Sequence, residues 1–253
     1  MRSEEFSESF STIAPYYDTL MSFIDYESWV EYIERILVLY RKSDRMILDL
    51  ACGTGVCLEL WHERGYQVIG LDRSLSMLKQ CHKRFLNKNR DRMALINGDM
   101  RDFALKQPVP IITCLYDSLN YLLNEEELDQ CFNNVRRILA QNGLFIFDMN
   151  TIHCLRDEWG NNTYYRQDSD INSVWTNQFN KTTNISSLEL ILKIKVNGTY
   201  ETVREFHQER GYPLVTIARF LKKVGFTFSL YQHLTFNPAC ERDIRIMGVA
   251  ELC

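Results

Sequence analysis

The feature that most constrains this fold is an alternation running from residue 45 to residue 150. "RMILDL", "YQVIGLD", "MALING", "VPIITCLYD" and "GLFIFDMN" are short and almost continuously apolar. Runs of that length and uniformity read as strands of a sheet covered on both faces. Amphipathic stretches lie between them, and helices are predicted near 55–64, 74–89 and 125–141, the last ended by Gly143 in "QNG". Strand-helix alternation of this kind builds an α/β fold with a doubly wound, mostly parallel sheet and right-handed crossovers. Two later strands, in "FTFSLYQHLTF" and "RDIRIMGVAEL", bring the expected Rossmann-like sheet to seven.

The flanks depart from that rhythm. Residues 7–42 read as helical, with Trp29, Ile33, Ile36, Leu37 and Tyr40 on one apolar face. Residues 151–211 are rich in β-branched and aromatic residues, with turn signals at "DSD" and "NKTTN" and a hairpin signal at Asn197-Gly198. They read as an antiparallel β insertion. A helix then follows in "PLVTIARFLKKVGF", with Pro213 at its start and Gly225 at its end. The expected organisation is a core of 1–150 plus 212–253, with 151–211 inserted and forming a lid together with the amino-terminal helices.

Composition narrows the function classes. Of the 253 residues 45% are hydrophobic and 25% charged, enough apolar residues for a sizeable core. No run is long enough for a transmembrane helix and the start carries no export signal, so a cytoplasmic protein is expected and four Asn-x-Ser/Thr matches read as chance. The eight cysteines form no C-x-x-C pair and read as reduced, small apolar side chains; the five histidines lack metal-ligand spacing. A net charge of −4 argues against a nucleic-acid partner, and the basic segment at 79–92 reads as the solvated end of a helix.

Two glycines, Gly53 and Gly55, follow the first strand in "LDLACGTG", at the carboxyl end of the sheet where ligands of open α/β folds sit. The next strand ends on Asp72, placed to accept ribose hydroxyls, and the third ends at Asp99 and Met100, suited to the edge and face of a purine. A dinucleotide fingerprint wants a third glycine where this chain has Leu58. Asp49, before the turn, would repel a pyrophosphate and suits a cationic ligand. A nucleoside with a cationic group and no pyrophosphate, S-adenosylmethionine, fits these residues.

"LDLACGTG", "GLDRSLSML", "GDMRDF", "CLYDSLNYL" and "GLFIFDMN" together resemble the ordered motifs of class I S-adenosylmethionine-dependent methyltransferases, over nearly the whole chain. "YYDTLMSFIDYESWVEYI" and "FHQERGY" are similar to a branch of small bacterial enzymes related to sugar N-methyltransferases. The resemblance implies a cofactor site of Tyr17, Trp29, Asp49, Ala51, Gly53, Gly55, Asp72, Arg73, Met77, Asp99, Met100, Tyr116, Asp117 and Ser118. On the acceptor side it implies Asn120, Tyr121, Trp175, His207 and Arg210, with Tyr17, Tyr121 and His207 as candidate catalytic groups. Tyr121 stands where the sugar N-methyltransferases carry a histidine, which departs from a His-assisted mechanism.

Methyl transfer from a sulfonium needs alignment, exclusion of water and a free lone pair on the nucleophile. A neutral amine meets that need without a strong base. By strand alternation Glu205, His207 and Glu209 share one face, directed either to substrate or to solvent. The expected function is methylation of a small-molecule acceptor, an amine by preference, by a monomer or homodimer. An O-methyltransferase, an RNA methyltransferase and a non-catalytic cofactor-binding protein are the alternatives.

Overall fold

A computed structural model describes residues 9–88, 91–167, 171–196 and 198–252. A short helix α1 (Tyr17–Leu20) precedes α2 (Tyr26–Leu39), after which the alternating region begins. It comprises β1 (Met46–Leu50), α3 (Val56–Glu63), β2 (Gln67–Asp72), α4 (Leu75–Arg84), β3 (Met93–Asn97), β4 (Val109–Cys114), α5 (Glu125–Ile138) and β5 (Leu139–Asn150). Four strands follow, β6 (Thr163–Gln167), β7 (Ile171–Asn180), β8 (Ile185–Val196) and β9 (Thr199–Arg210). The chain closes with α6 (Leu214–Lys223), β10 (Thr227–Gln232) and β11 (Arg245–Glu251).

The main sheet has seven strands in the order β10-β11-β5-β4-β1-β2-β3. It is parallel except at β11, which runs antiparallel to both β5 and β10. Strand order reverses between β1 and β4, so a crevice opens at their carboxyl ends. One apolar core packs α5 and α6 on one face; the other packs α2, α3 and α4 on the opposite face. Burial on both faces explains the uninterrupted apolar runs.

The second sheet, β6-β7-β8-β9, is antiparallel throughout. Its inner face buries Leu190, Leu192 and Ile194 against Ile13 and Leu20, with Phe10, Tyr16, Tyr17 and Trp175 beside them. The amino-terminal segment is therefore the core of this layer. The β8-β9 hairpin forms as the Asn197-Gly198 signal implied, although Asn197 itself lies outside the described residues, as do 168–170 of the "DSD" signal.

Three expectations need correction. Residues 7–42 are not one helix: 21–25 break it, and Asp25 starts α2 afresh by accepting from the Ser28 amide at 3.2 Å. Gly143 does not end α5, which stops at Ile138; Gly143 lies within β5, and Asn142 beside it adopts the left-handed φ of 59°. The insertion opens with a helical turn, Cys154–Trp159, before its first strand. Within the basic segment near 79–92, Arg84 pairs with Asp18 and Glu59, and Lys88 with Glu59 and Glu63. Residues 89–90 of it are outside the described residues. Among the described residues no helix is long and apolar enough to cross a membrane.

Candidate functional site

The turn after β1 takes left-handed φ at alternate residues: Ala51 at 55°, Gly53 at 56° and Gly55 at 80°. Its two glycines do different work. A Cβ on Gly55 would lie 2.3 Å from the Cys81 sulfur, so Gly55 lets α3 and α4 close on each other. A Cβ on Gly53 would meet nothing within 4 Å. Gly53 faces open space, and Gly55 belongs to the packing beneath it.

Asp72, at the end of β2, holds the turn from the side. Its Oδ2 accepts from the Gly53 amide at 2.8 Å and its Oδ1 from the Ser74 amide at 2.7 Å. A carboxylate has about four lone-pair sites, so it keeps capacity for two hydroxyls. Ser74 caps α4 through the Met77 amide and donates its hydroxyl to the Phe10 carbonyl at 3.1 Å. Asp49 is buried and accepts from Thr113 Oγ1 at 2.7 Å. Burial above all, with the neighbouring Asp72, pushes its carboxyl up to about 7 against the pull of Thr113. Arg73 is exposed at the crevice rim and Met77 is buried in the first turn of α4.

At the end of β4, Tyr116 and Asp117 are both left-handed, with φ of 58° and 52°. Two consecutive non-glycine residues in that region cost roughly 1–2 kcal/mol each. Arg245 holds them: its Nη1 lies 2.9 Å from Asp117 Oδ1 and also pairs with Asp148, whose Oδ2 accepts from the Asp117 amide at 3.0 Å. Ser118 donates to the Leu115 carbonyl at 2.7 Å. Trp29 stacks on Tyr116 with centroids 4.3 Å apart, bringing α2 to the same corner.

The second sheet covers this crevice from β9. Glu205, His207 and Glu209 are all buried, so their shared face points inward rather than to solvent. Glu205 Oε1 accepts from the amides of Thr12 and Ile13 at 2.7 and 3.0 Å, and its Oε2 from that of Phe10 at 2.8 Å. Burial raises the Glu205 carboxyl, but His207 and these amides outweigh it and hold the group below its usual value. His207 Nδ1 lies 3.3 Å from the Tyr121 hydroxyl. Phe10 packs centrally, its ring 4.7, 5.3 and 6.0 Å from those of His207, Tyr121 and Tyr17. Burial first, then Tyr26, Asp117, Asp72 and Asp18, push the Tyr17 phenol up, which puts it among the acids of the crevice.

Several predicted residues are committed elsewhere. Asp99 spends both oxygens on Arg101, at 2.9 and 2.6 Å, and so is less free for a base than its strand-end position suggests. Its neighbour Met100 packs against the core. Asn120 is fully buried and bonds the Asn150 and Arg210 carbonyls and the Asn150 amide, tying β5 to β9. Arg210 donates to the Leu123 carbonyl at 3.1 Å, and half-buried Trp175 donates to Ser173 Oγ at 2.9 Å. Phe10, Asp148 and Arg245 were not anticipated. The partners that fix them include Glu205 for Phe10, 195 residues away, and the Asp148–Arg245 pair, 97 apart, and no local spacing marks them.

A methyltransferase domain model matches residues 47–143. Over 217 residues the chain is 30% identical to YqeM of Bacillus subtilis (strain 168), designated a methyltransferase, with 84% of each covered. The chain belongs to the methyltransferase family. A solved S-adenosylmethionine-dependent methyltransferase from Clostridium acetobutylicum ATCC 824 is similar over 95% of this chain and 97% of its own, with a TM-score of 0.86 and 26% identity. A dTDP-4-amino-2,3,4,6-tetradeoxy-D-glucose N,N-dimethyltransferase of Saccharopolyspora spinosa is 29% identical over 153 residues, 58% of this chain and 59% of that protein.

The cofactor of this methyltransferase is S-adenosylmethionine, and the crevice has features that fit it: open space over Gly53, a carboxylate with free acceptor capacity at Asp72 and a buried acid at Asp49. Asp49 gives a measurable expectation. Below about pH 7 the free enzyme carries it protonated. A bound cation favours its ionised form, so binding releases a proton and affinity rises with pH up to that point. Calorimetry near pH 6.5 in buffers of different ionisation heat should show proton release in the parent and none in Asp49→Asn. Equal release in both would assign it to another group.

Proposed function

We propose that this methyltransferase methylates the nitrogen of a small amine, with amino sugars the first class to test. The observation that carries the reading is the charge of the covered crevice. Asp49, Asp72, Glu205 and Glu209 are buried around it, and Arg245 is already matched by Asp117 and Asp148. An acid-rich crevice attracts a cationic amine. The relative acting on a dTDP-amino sugar supports the same chemistry.

S-adenosylmethionine supplies an electrophilic methyl group. Gly53 and Asp72 would hold the nucleoside side of the cofactor, Asp49 its cationic side, and Tyr17 and Phe10 would cover it from the amino-terminal strap. Tyr121 and His207 would meet the acceptor, and Trp175 would wall the pocket. Among these residues the task is positioning and water exclusion, which suits a donor already activated for displacement.

The test is a screen of small amines, amino sugars and hydroxylated metabolites for S-adenosylhomocysteine release. Amines should turn over and hydroxylated analogues should not. With an accepted amine, Trp175→Ala and His207→Ala should leave cofactor affinity within about threefold, roughly 0.7 kcal/mol. Transfer should fall much further, because misplacement by about 1 Å can cost on the order of a hundredfold in rate. Turnover confined to hydroxyl acceptors would overturn the amine assignment.

A further inference from the structure

Tyr121, His207 and Glu205 form a chain from the crevice into the second sheet. The Tyr121 hydroxyl is 3.3 Å from His207 Nδ1, and His207 Nε2 is 3.2 Å from Glu205 Oε2. The latter contact is not aligned as a hydrogen bond, and among the described residues Nε2 is buried with no hydrogen-bond partner. Glu205 is nearly inaccessible and already receives three amides of the strap. A carboxylate only accepts, so a bare lone pair on Nε2 at that distance would be repelled. The proton of the neutral ring therefore sits on Nε2. That leaves Nδ1 to accept from the Tyr121 hydroxyl, and the Tyr121 oxygen keeps its own lone pairs for another donor.

We infer that Glu205 is a positioning residue of the methyl-transfer site: it fixes the His207 tautomer that turns the Tyr121 oxygen into a hydrogen-bond acceptor for the acceptor amine, and it anchors the strap that closes the crevice. The role at the amine rests on the function proposed above; the tautomer does not. When the methylated nitrogen sheds its proton, an N–H bond breaks and an O–H bond forms on Tyr121. In the same step Tyr121 passes its original proton to His207 Nδ1. The imidazolium stands beside Glu205 and returns the proton to solvent. No free tyrosinate is needed, which agrees with a Tyr121 phenol raised by burial and then by Glu209, Asp117, Tyr17 and Glu205.

The strap gives the arrangement a second consequence. Gly53, Asp72, Ser74 and Phe10 are joined in sequence by hydrogen bonds, and the Phe10 amide ends that route on Glu205. The carboxylate thus links the cofactor turn to the acceptor side through a segment only four residues long, Phe10 to Ile13.

Nitrogen NMR of the whole protein labelled with 15N-histidine reads the tautomer directly and needs no acceptor. Near pH 8, His207, assigned by its loss in His207→Ala, should show a protonated Nε2 and an unprotonated Nδ1. Tyr121→Phe should keep that pattern. Glu205→Gln can present its amide N–H to Nε2, and the proton should move to Nδ1. A parent ring protonated on Nδ1, or a Gln variant that keeps its Nε2 proton while still binding S-adenosylhomocysteine, would overturn the assignment. With an amine accepted in the screen, Glu205→Gln and Tyr121→Phe should each lower kcat at least tenfold with little change in the cofactor KM, and the double variant should be no worse than either. Independent, multiplying losses would overturn the chain even if amine methylation stands; a normal tautomer pattern with no amine turnover would overturn the function alone.

Discussion

Replacing Arg245 with methionine is expected to destabilise the fold by about 3–5 kcal/mol, the cost of breaking a buried pair by removing one partner. Asp148 is wholly buried and keeps only the Asp117 amide once the guanidinium is gone. Burial already pushes the Asp148 carboxyl up to about 6, against the pull of Arg245, so the variant should hold it higher still. The sign follows from linkage. A carboxyl raised in the folded state binds its proton there before the unfolded chain does, so its penalty is full above the folded value and absent below the unfolded one. The deficit of Arg245→Met should therefore shrink as pH falls from 8 towards 4. Urea unfolding at several pH values measures this, and adding Asp148→Asn should recover part of the loss. A deficit below about 1 kcal/mol, or one independent of pH, would show that the pair contributes little beyond a surface bridge.

Much of the fold could be read in the sequence because both faces of the main sheet are dry. Continuous apolarity marks β1, β2 and β4 without ambiguity, and burial of Ile47, Leu48 and Leu50 confirms the cause. The turn at Gly53 was legible for a related reason, since few functions require two glycines after an acid-ended strand. The strap was not. Residues 9–13 owe their conformation to Glu205, 192 or more residues away, and local propensity is blind to such a partner. Similarly, the helix break at 21–25 depends on Asp25 acting as a cap, which a periodicity reading across 7–42 passes over.

Chemistry at the site was legible by residue type more than by role. Strand alternation placed Glu205, His207 and Glu209 together but left open which way they face; packing against Ile13 and Phe10 decides for the interior. Asp99 stands just past β3, where the sequence placed it, and Asn120 lies in the turn after β4. Their side chains are claimed by Asn150, Arg210 and Arg101, commitments that depend on side-chain direction rather than on sequence spacing.

Asp72→Ala is expected to weaken S-adenosylmethionine binding by roughly ten- to hundredfold, from the loss of charged hydrogen bonds of about 1.5–3 kcal/mol. The carboxylate has two duties, since it also holds the Gly53 and Ser74 amides at 2.8 and 2.7 Å. Loss of binding could come through either. Ser74→Ala separates them: it removes the hydroxyl that caps α4 and holds Phe10, while leaving the carboxylate in place. A lost cap costs about 0.5–2 kcal/mol of stability, so Ser74→Ala should melt earlier and yet keep cofactor affinity within about threefold. Calorimetry with S-adenosylmethionine and with S-adenosylhomocysteine should show the same loss for both ligands in Asp72→Ala, because the ribose is common to them. Equal losses in Asp72→Ala and Ser74→Ala would mean that Asp72 acts by fixing the strap and the turn. Unchanged affinity in Asp72→Ala would remove it from the cofactor site altogether.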